Sequence, residues 1–138
     1  MLGCIDFGRF PTTAITVRNA ARVGADFARR RLYPANDAPE SAQAQKQWRQ
    51  GLRDAVLSEM RGLKGFDESQ LTRLHVTGLD PGGNRYQVRV EVGYRFKTLI
   101  NLVDRDGQLL PNQLDLRQEV WMDIQKYPGV NLPPDTDL

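Results

Sequence analysis

Apolar and small side chains recur at helical spacing through the first thirty or so residues, where Ala14, Val17, Ala21, Gly24, Ala28 and Leu32 fall three or four apart. The pattern predicts one long helix over 6–31, with Ile5 just before it. Its larger apolar residues, Ile15, Val17, Val23 and Phe27, lie beside a row of small ones: Ala14, Ala20, Ala21, Gly24, Ala25 and Ala28. Small residues at such intervals let another helix approach closely. Pro11 either kinks this helix or sits in its first turn. Tyr33-Pro34 ends the run, because the residue before a proline is pushed out of the helical region. A linker around Asn36, Asp37 and Pro39 leads to a second helix over 40–61. Its stripe is Ala44, Trp48, Leu52, Val56 and Met60, and Gly62 and Gly65 close it. Gly51 costs helix propensity and points to a neighbouring element passing close.

In the second half the period changes to two. Residues 71–77 read as a short strand, and Asp80-Pro81-Gly82-Gly83-Asn84 as a hairpin turn. Over 85–96, Tyr86, Val88, Val90, Val92, Tyr94 and Phe96 alternate with Arg85, Gln87, Arg89, Glu91 and Arg95, as in an antiparallel strand with one wet face. Gly93, on the polar side, marks a bulge or a close approach. The stretch 97–103 reads equally as a short helix or an apolar loop. Alternation returns over 114–124, with Leu114, Leu116, Val120, Met122 and Ile124 inward and Trp121 on the polar side. The expected architecture is α+β: a long N-terminal helix and a second amphipathic helix packed on a three-stranded antiparallel sheet. Residues 1–34 form the leading helix, 35–127 the helix-on-sheet part of the same domain, and 128–138, with Pro133 and Pro134, an extended or loose tail.

Composition narrows the function classes. The 138 residues amount to one domain. A net charge of +2, with 26% charged residues of both signs, describes an ordinary solvated surface and does not call for nucleic acid. The single cysteine, Cys4, excludes an internal disulfide and a thiolate metal cluster. There is no basic-then-apolar signal segment, and no apolar run long enough to span a membrane unaided.

Candidate chemistry is sparse. His75 is the sole histidine, without a second imidazole or thiol ligand, and reads as structural or surface. Cys4 lacks a base to activate it. Asp104, Asp106, Gln108 and Asp115 superficially resemble a calcium loop, but Leu109 stands where the required glycine belongs. Glu119 and Asp123 share a wet strand face without the cleft that a glycosidase pair needs. The glycine-rich 80–84 turn lacks the lysine and helix of a phosphate loop. The chain therefore reads as non-enzymatic, with no catalytic, cofactor-binding or metal-binding residue assigned and no cofactor. Two other classes stay open: a soluble ligand-binding domain using the sheet face, and a nucleic-acid-binding module led by Arg18, Arg22, Arg29, Arg30 and Arg31. The same arginines also suit an amphipathic helix near lipid headgroups.

One segment carries a family likeness. Asp6-Phe7-Gly8-Arg9, followed by Asn19-Ala20-Ala21-Arg22 and Gly24-Ala25, resembles the region after the membrane segment in TadE-like proteins. These are minor pilin-like (pseudopilin) components of the tight-adherence, or Flp, pilus machinery of bacteria. The likeness continues more weakly through Val92-Gly93-Tyr94-Arg95-Phe96 and into Glu119, Val120 and Met122. It implies a pilin-like fold and a structural or assembly role in a pilus or secretion system. It also implies a membrane anchor ahead of Ile5, with the domain outside the cytoplasmic membrane. The expected partners are other machinery subunits, with nucleic acid disfavoured; without its anchor the chain is expected to be soluble. The residues expected to make contacts are Asp6, Phe7, Arg9, Asn19, Arg22, Gly24 and Trp121. Asp6 and Arg9 are candidates to pair with each other or across subunits, and Trp121 is a candidate interface anchor. The small-residue helix face is expected to stand exposed and to drive self-association.

Overall fold

The computed structural model describes residues 2–35, 39–98, 105–108, 112–126 and 130–138, the side chains of 2–7 excepted. Two helices lie on one face of an antiparallel sheet. The helices are α1 (Leu2–Arg30) and α2 (Ser41–Met60). After a single 3₁₀ turn, Glu68–Gln70, come β1 (Leu71–Leu79), β2 (Arg85–Lys97), β3 (Gln113–Gln125) and β4 (Thr136–Asp137). The α+β class and the two-helix layer agree with the sequence pattern.

α1 continues across Pro11 without interruption. The hydroxyls of Thr12, Thr13 and Thr16 donate back to the carbonyls of Gly8, Arg9 and Thr12 at 3.1, 2.8 and 2.9 Å. These are side-chain bonds back to the i−4 carbonyl, which keep the threonine hydroxyls paired within the helix. Past the helix, an aromatic cluster ties the exit of α1 to α2. Trp48 packs against Phe27 and Tyr33, and its Nε1 donates to the Arg31 carbonyl at 2.6 Å.

The small-residue row of α1 faces inward, which corrects the expectation of an exposed face. Ala20, Ala21 and Ala25 are fully buried, and Gly24 is buried with them. A Cβ built on Gly24 would stand 2.8 Å from Val56 of α2 and 3.0 Å from Val90 of β2. The helix that the small residues admit is therefore the chain's own α2. Gly51 does the same from the other side, where a Cβ would meet the Phe27 ring at 2.8 Å.

The sheet order is β3-β2-β1-β4, four strands where three were expected. β2 and β3 pair from Arg85↔Gln125 to Lys97↔Gln113 without a register shift. Gly82 and Gly83 turn β1 into β2 with φ of 90° and 75°, and the Asp80 side chain accepts from the Gly82 N–H at 3.0 Å. The irregularity signalled by Gly93 lies across from it, where β1 shifts register between Leu71 and Arg73. A Cβ on Gly93 would meet Thr72 Oγ1 at 2.7 Å.

The fourth strand comes from the tail. Residues 130–138 cross to the far edge of the sheet, where β4 pairs with β1 through His75↔Asp137 and Val76↔Thr136. Val130 is buried, the Gly78 N–H donates to the Pro133 carbonyl, and the Leu138 N–H donates to the Leu74 carbonyl. Two residues of strand shortly after a pair of prolines carry no alternation, so the tail's pattern does not announce β4. The ambiguous 97–103 stretch begins as the end of β2, and its positions from 99 onward lie outside the described residues.

Because Gly24 has no room around it, Gly24→Val should destabilise the fold by about 1–3 kcal/mol. Urea unfolding would check this, and an unchanged midpoint would show that α2 can move aside.

Candidate interaction surface

The residues expected to make contacts do not converge on one site. Gly24 is inside the core. Asn19 is half-buried and Arg22 exposed, and both line a shallow cleft along α1 with Met122 of β3. Arg9 lies at the other end of α1, its guanidinium 5.3 Å from the Phe96 ring centre. The side chains of Cys4, Asp6 and Phe7, and all of Asp104, lie outside the described residues. Trp121 is on the opposite face of the sheet, 42% exposed, with Arg89 stacked 5.3 Å from its ring centre.

Around Arg9 a groove of about 540 Å³ opens between α1, the α2–β1 connection and the end of β2. Leu63, Tyr94 and Phe96 contribute its apolar part, and Arg9, Lys64 and Lys97 its charges. The Tyr94 hydroxyl donates to Gln70 Oε1 at 2.8 Å, and burial pushes its pKa up. Among the described residues, no cluster of His, Cys, Asp and Glu is arranged to hold a metal ion. Likewise, no helix among them is long and apolar enough to cross a membrane.

Comparisons with protein families, with curated proteins and with solved structures return no match for this chain.

The sheet face turned away from the helices carries a lattice of charges. Arg85 and Gln87 hold Asp123, Arg95 holds Asp115, and Arg89 approaches Glu119 at 3.9 Å. The carboxylates of Asp115, Glu119 and Asp123 are thus cross-strand partners of basic residues. Two features of this face are not ordinary surface.

The first is Glu91. It is fully buried although no helix covers it. Its cover is Arg73 and Arg117, which reach in from β1 and β3 to ion-pair with Oε1, Arg73 at 3.0 Å. Burial pushes the Glu91 carboxyl up, but Arg117 and Arg73 outweigh that and hold it below its ordinary 4.5. Neither oxygen has a well-aligned hydrogen bond, so the carboxylate depends on those two charges. In the sequence Glu91 looks like any other outward position of an alternating strand.

The second is His75, the sole histidine, buried and held from both sides. Nδ1 meets Asp137 Oδ1 at 2.7 Å, and Nε2 meets Asp135 Oδ1. Thr77 Oγ1 donates to the same Asp135 oxygen at 2.7 Å. Thr77 first, and His75 next, hold the Asp135 carboxyl below its ordinary value. Ionised carboxylates only accept, so a ring nitrogen of His75 that carries hydrogen donates to the aspartate it meets. The structural reading of His75 thus acquires a purpose: it fastens the tail to β1. Arg53 of α2 adds a bond to the Leu138 carbonyl at 3.0 Å. A separation of some sixty positions hides this trio from sequence reading.

Two outcomes follow from these pairs. A carboxylate whose pKa is depressed on folding contributes stability above its ordinary value and loses it as the pH falls below. Thermal midpoints of the parent chain and Glu91→Gln should therefore differ at pH 7 and converge on the acid side of 4.5; equal midpoints at pH 7 would refute the pairing. Replacing His75 by Phe should speed hydrogen exchange at the Gly78 and Leu138 amides by roughly ten- to a hundredfold, the weight of charge-assisted hydrogen bonds. Amides of β2 and β3 should be unaffected.

Proposed function

We propose that this chain is a non-enzymatic structural or assembly subunit of a tight-adherence type pilus or secretion system, acting through protein–protein contacts outside the cytoplasmic membrane. The reading rests on the TadE-like tract at Asp6–Arg9 and Asn19–Ala25 and on what α1 does with it. The observation that carries it is the division of labour along that helix. Among its described side chains, the buried ones begin at Thr13 and continue through Val17, Ala20, Ala21, Ala25 and Ala28. Ahead of them the same helix runs on to Leu2 without a break at Pro11. A helix seated in its domain by the C-terminal part and reaching only the domain's rim, at Phe96, with Arg9 and Phe10 suits a subunit carried on a stem. The small-residue row serves as the seat of the stem on its own domain. Contacts with other subunits then fall to exposed positions, Arg22 and Ile15 on α1 and Trp121 on the sheet.

The test is N-terminal sequencing and intact mass of the protein isolated from its native cells. The expected species partitions with the membrane fraction and carries an apolar segment ahead of Leu2. A species that begins at Met1 and stays in the soluble fraction would overturn the assembly role.

A further inference from the structure

β3 forms one edge of the sheet, and that edge is long and regular. The other edge ends in the two-residue β4. β3 runs from Gln113 to Gln125, pairs with β2 without a bulge, and contains no proline, glycine or lysine. Bulges, prolines, lysines and short length are the usual protections of an edge strand against pairing with another chain. The charges β3 does carry, Asp115, Arg117, Glu119 and Asp123, project from the face away from the helices and are engaged there. Among the described residues, no backbone group on the side away from β2 bonds to β3. Leu114 is 47% exposed, and Val120 and Met122 are half-buried on the helix side.

α1 packs over β2 and β3. Its Phe27 flank meets Gly51 of α2. At about 100° per residue, Arg18, Arg22 and Arg29 fall on the opposite flank, above the β3 edge. Arg29 shares a cleft with Asp123, Ile124 and Gln125, and Arg22 another with Met122, Asp26 and Glu59 of α2. All three arginines are exposed, and none closes an ion pair among the described residues, since the nearby Asp26 is taken by Arg30. The edge thus offers a row of backbone donors and acceptors beneath a row of three cations.

We propose that the β3 edge accepts an extended acidic segment of a partner protein as a fifth strand. Such a strand would lie about 4.8 Å beyond β3. Its residues on the α1 side combine aliphatics over Val120 and Met122 with carboxylates that reach Arg18, Arg22 and Arg29. Its other face, beside Asp115, Glu119 and Asp123, is neutral or basic. Charge decides against a second copy of this chain. Two-fold pairing of β3 with itself would bring two such arginine flanks together, and like charges facing one another disfavour it. The proposal does not depend on the assembly role above, since any soluble form of the chain presents the same edge.

The test uses three synthetic peptides of about twelve residues, the length of a long strand. The first has threonine at alternate positions, with valine and glutamate sharing the others. The second replaces glutamate with lysine. The third repeats the acidic peptide with alternate amides N-methylated. Titration calorimetry should show binding of the first, with slowed hydrogen exchange along β3 and not along β4. Arg18→Glu, Arg22→Glu and Arg29→Glu combined should weaken it about tenfold and improve the lysine peptide. The N-methylated peptide should not bind. Equal binding of the acidic and lysine peptides, binding that survives N-methylation, or no binding at all would overturn the proposal. So would protection of β3 that rises with protein concentration in the absence of peptide, because a second copy would then be the occupant.

Discussion

Gly24 sits where α1, α2 and β2 come closest, and a methyl group in its place would collide with Val56 and Val90. The rest of the architecture follows from that approach. With α1 drawn down onto the sheet and α2 drawn against α1, both helices occupy one face. The apolar side of β2, from Val88 through Phe96, becomes the floor of the core. The reciprocal contact, Phe27 lying across Gly51, keeps the two helices in register along their length. A larger residue at either glycine would push against side chains of the neighbouring layer, Val56 and Val90 at Gly24 and Phe27 at Gly51.

The two faces of the sheet work by different physics. On the helix side, side chains such as Leu52, Val56 and Val90 are fully buried, and each contributes about 1.5–3 kcal/mol. On the other side the cross-strand pairs are exposed, and such pairs are worth about 0–1 kcal/mol each. Stability therefore resides in the helix layer, while the charged face sets registry and specificity. Glu91 is the exception, a carboxylate kept dry by the arginines that neutralise it. With both arginines gone, its burial would be uncompensated.

Where the fold has a period, the residues announce it. The alternation of Tyr86 through Phe96 marks β2, the Gly82-Gly83 turn marks the hairpin, and Gly51 marks a close neighbour that proves to be Phe27. What stayed hidden has no period. β4 is two residues in a proline-rich tail. The His75 clamp joins a strand to side chains some sixty positions away. Glu91 occupies an outward position like its neighbours, and its burial depends on arginines of two other strands. Of the residues expected to make contacts, Arg22 and Trp121 are exposed, because polar helix faces and wet strand faces are legible from alternation. Gly24 turned inward because a row of small residues says that a helix will come close, but not whose helix.

Element order adds a kinetic dimension. β1, β2 and β3 follow one another along the chain and along the sheet, so each strand finds its neighbour soon after it is made. α1 is made first, yet its seat is on β2 and β3, which end with Gln125. At about 5–20 residues per second of synthesis, its row of alanines waits roughly 5 to 20 seconds for that floor. Throughout that interval α1 lacks its floor. Its alanines and glycine are small enough to give other chains little to hold, so the residues that make the finished core tight also leave the nascent helix a poor target for aggregation.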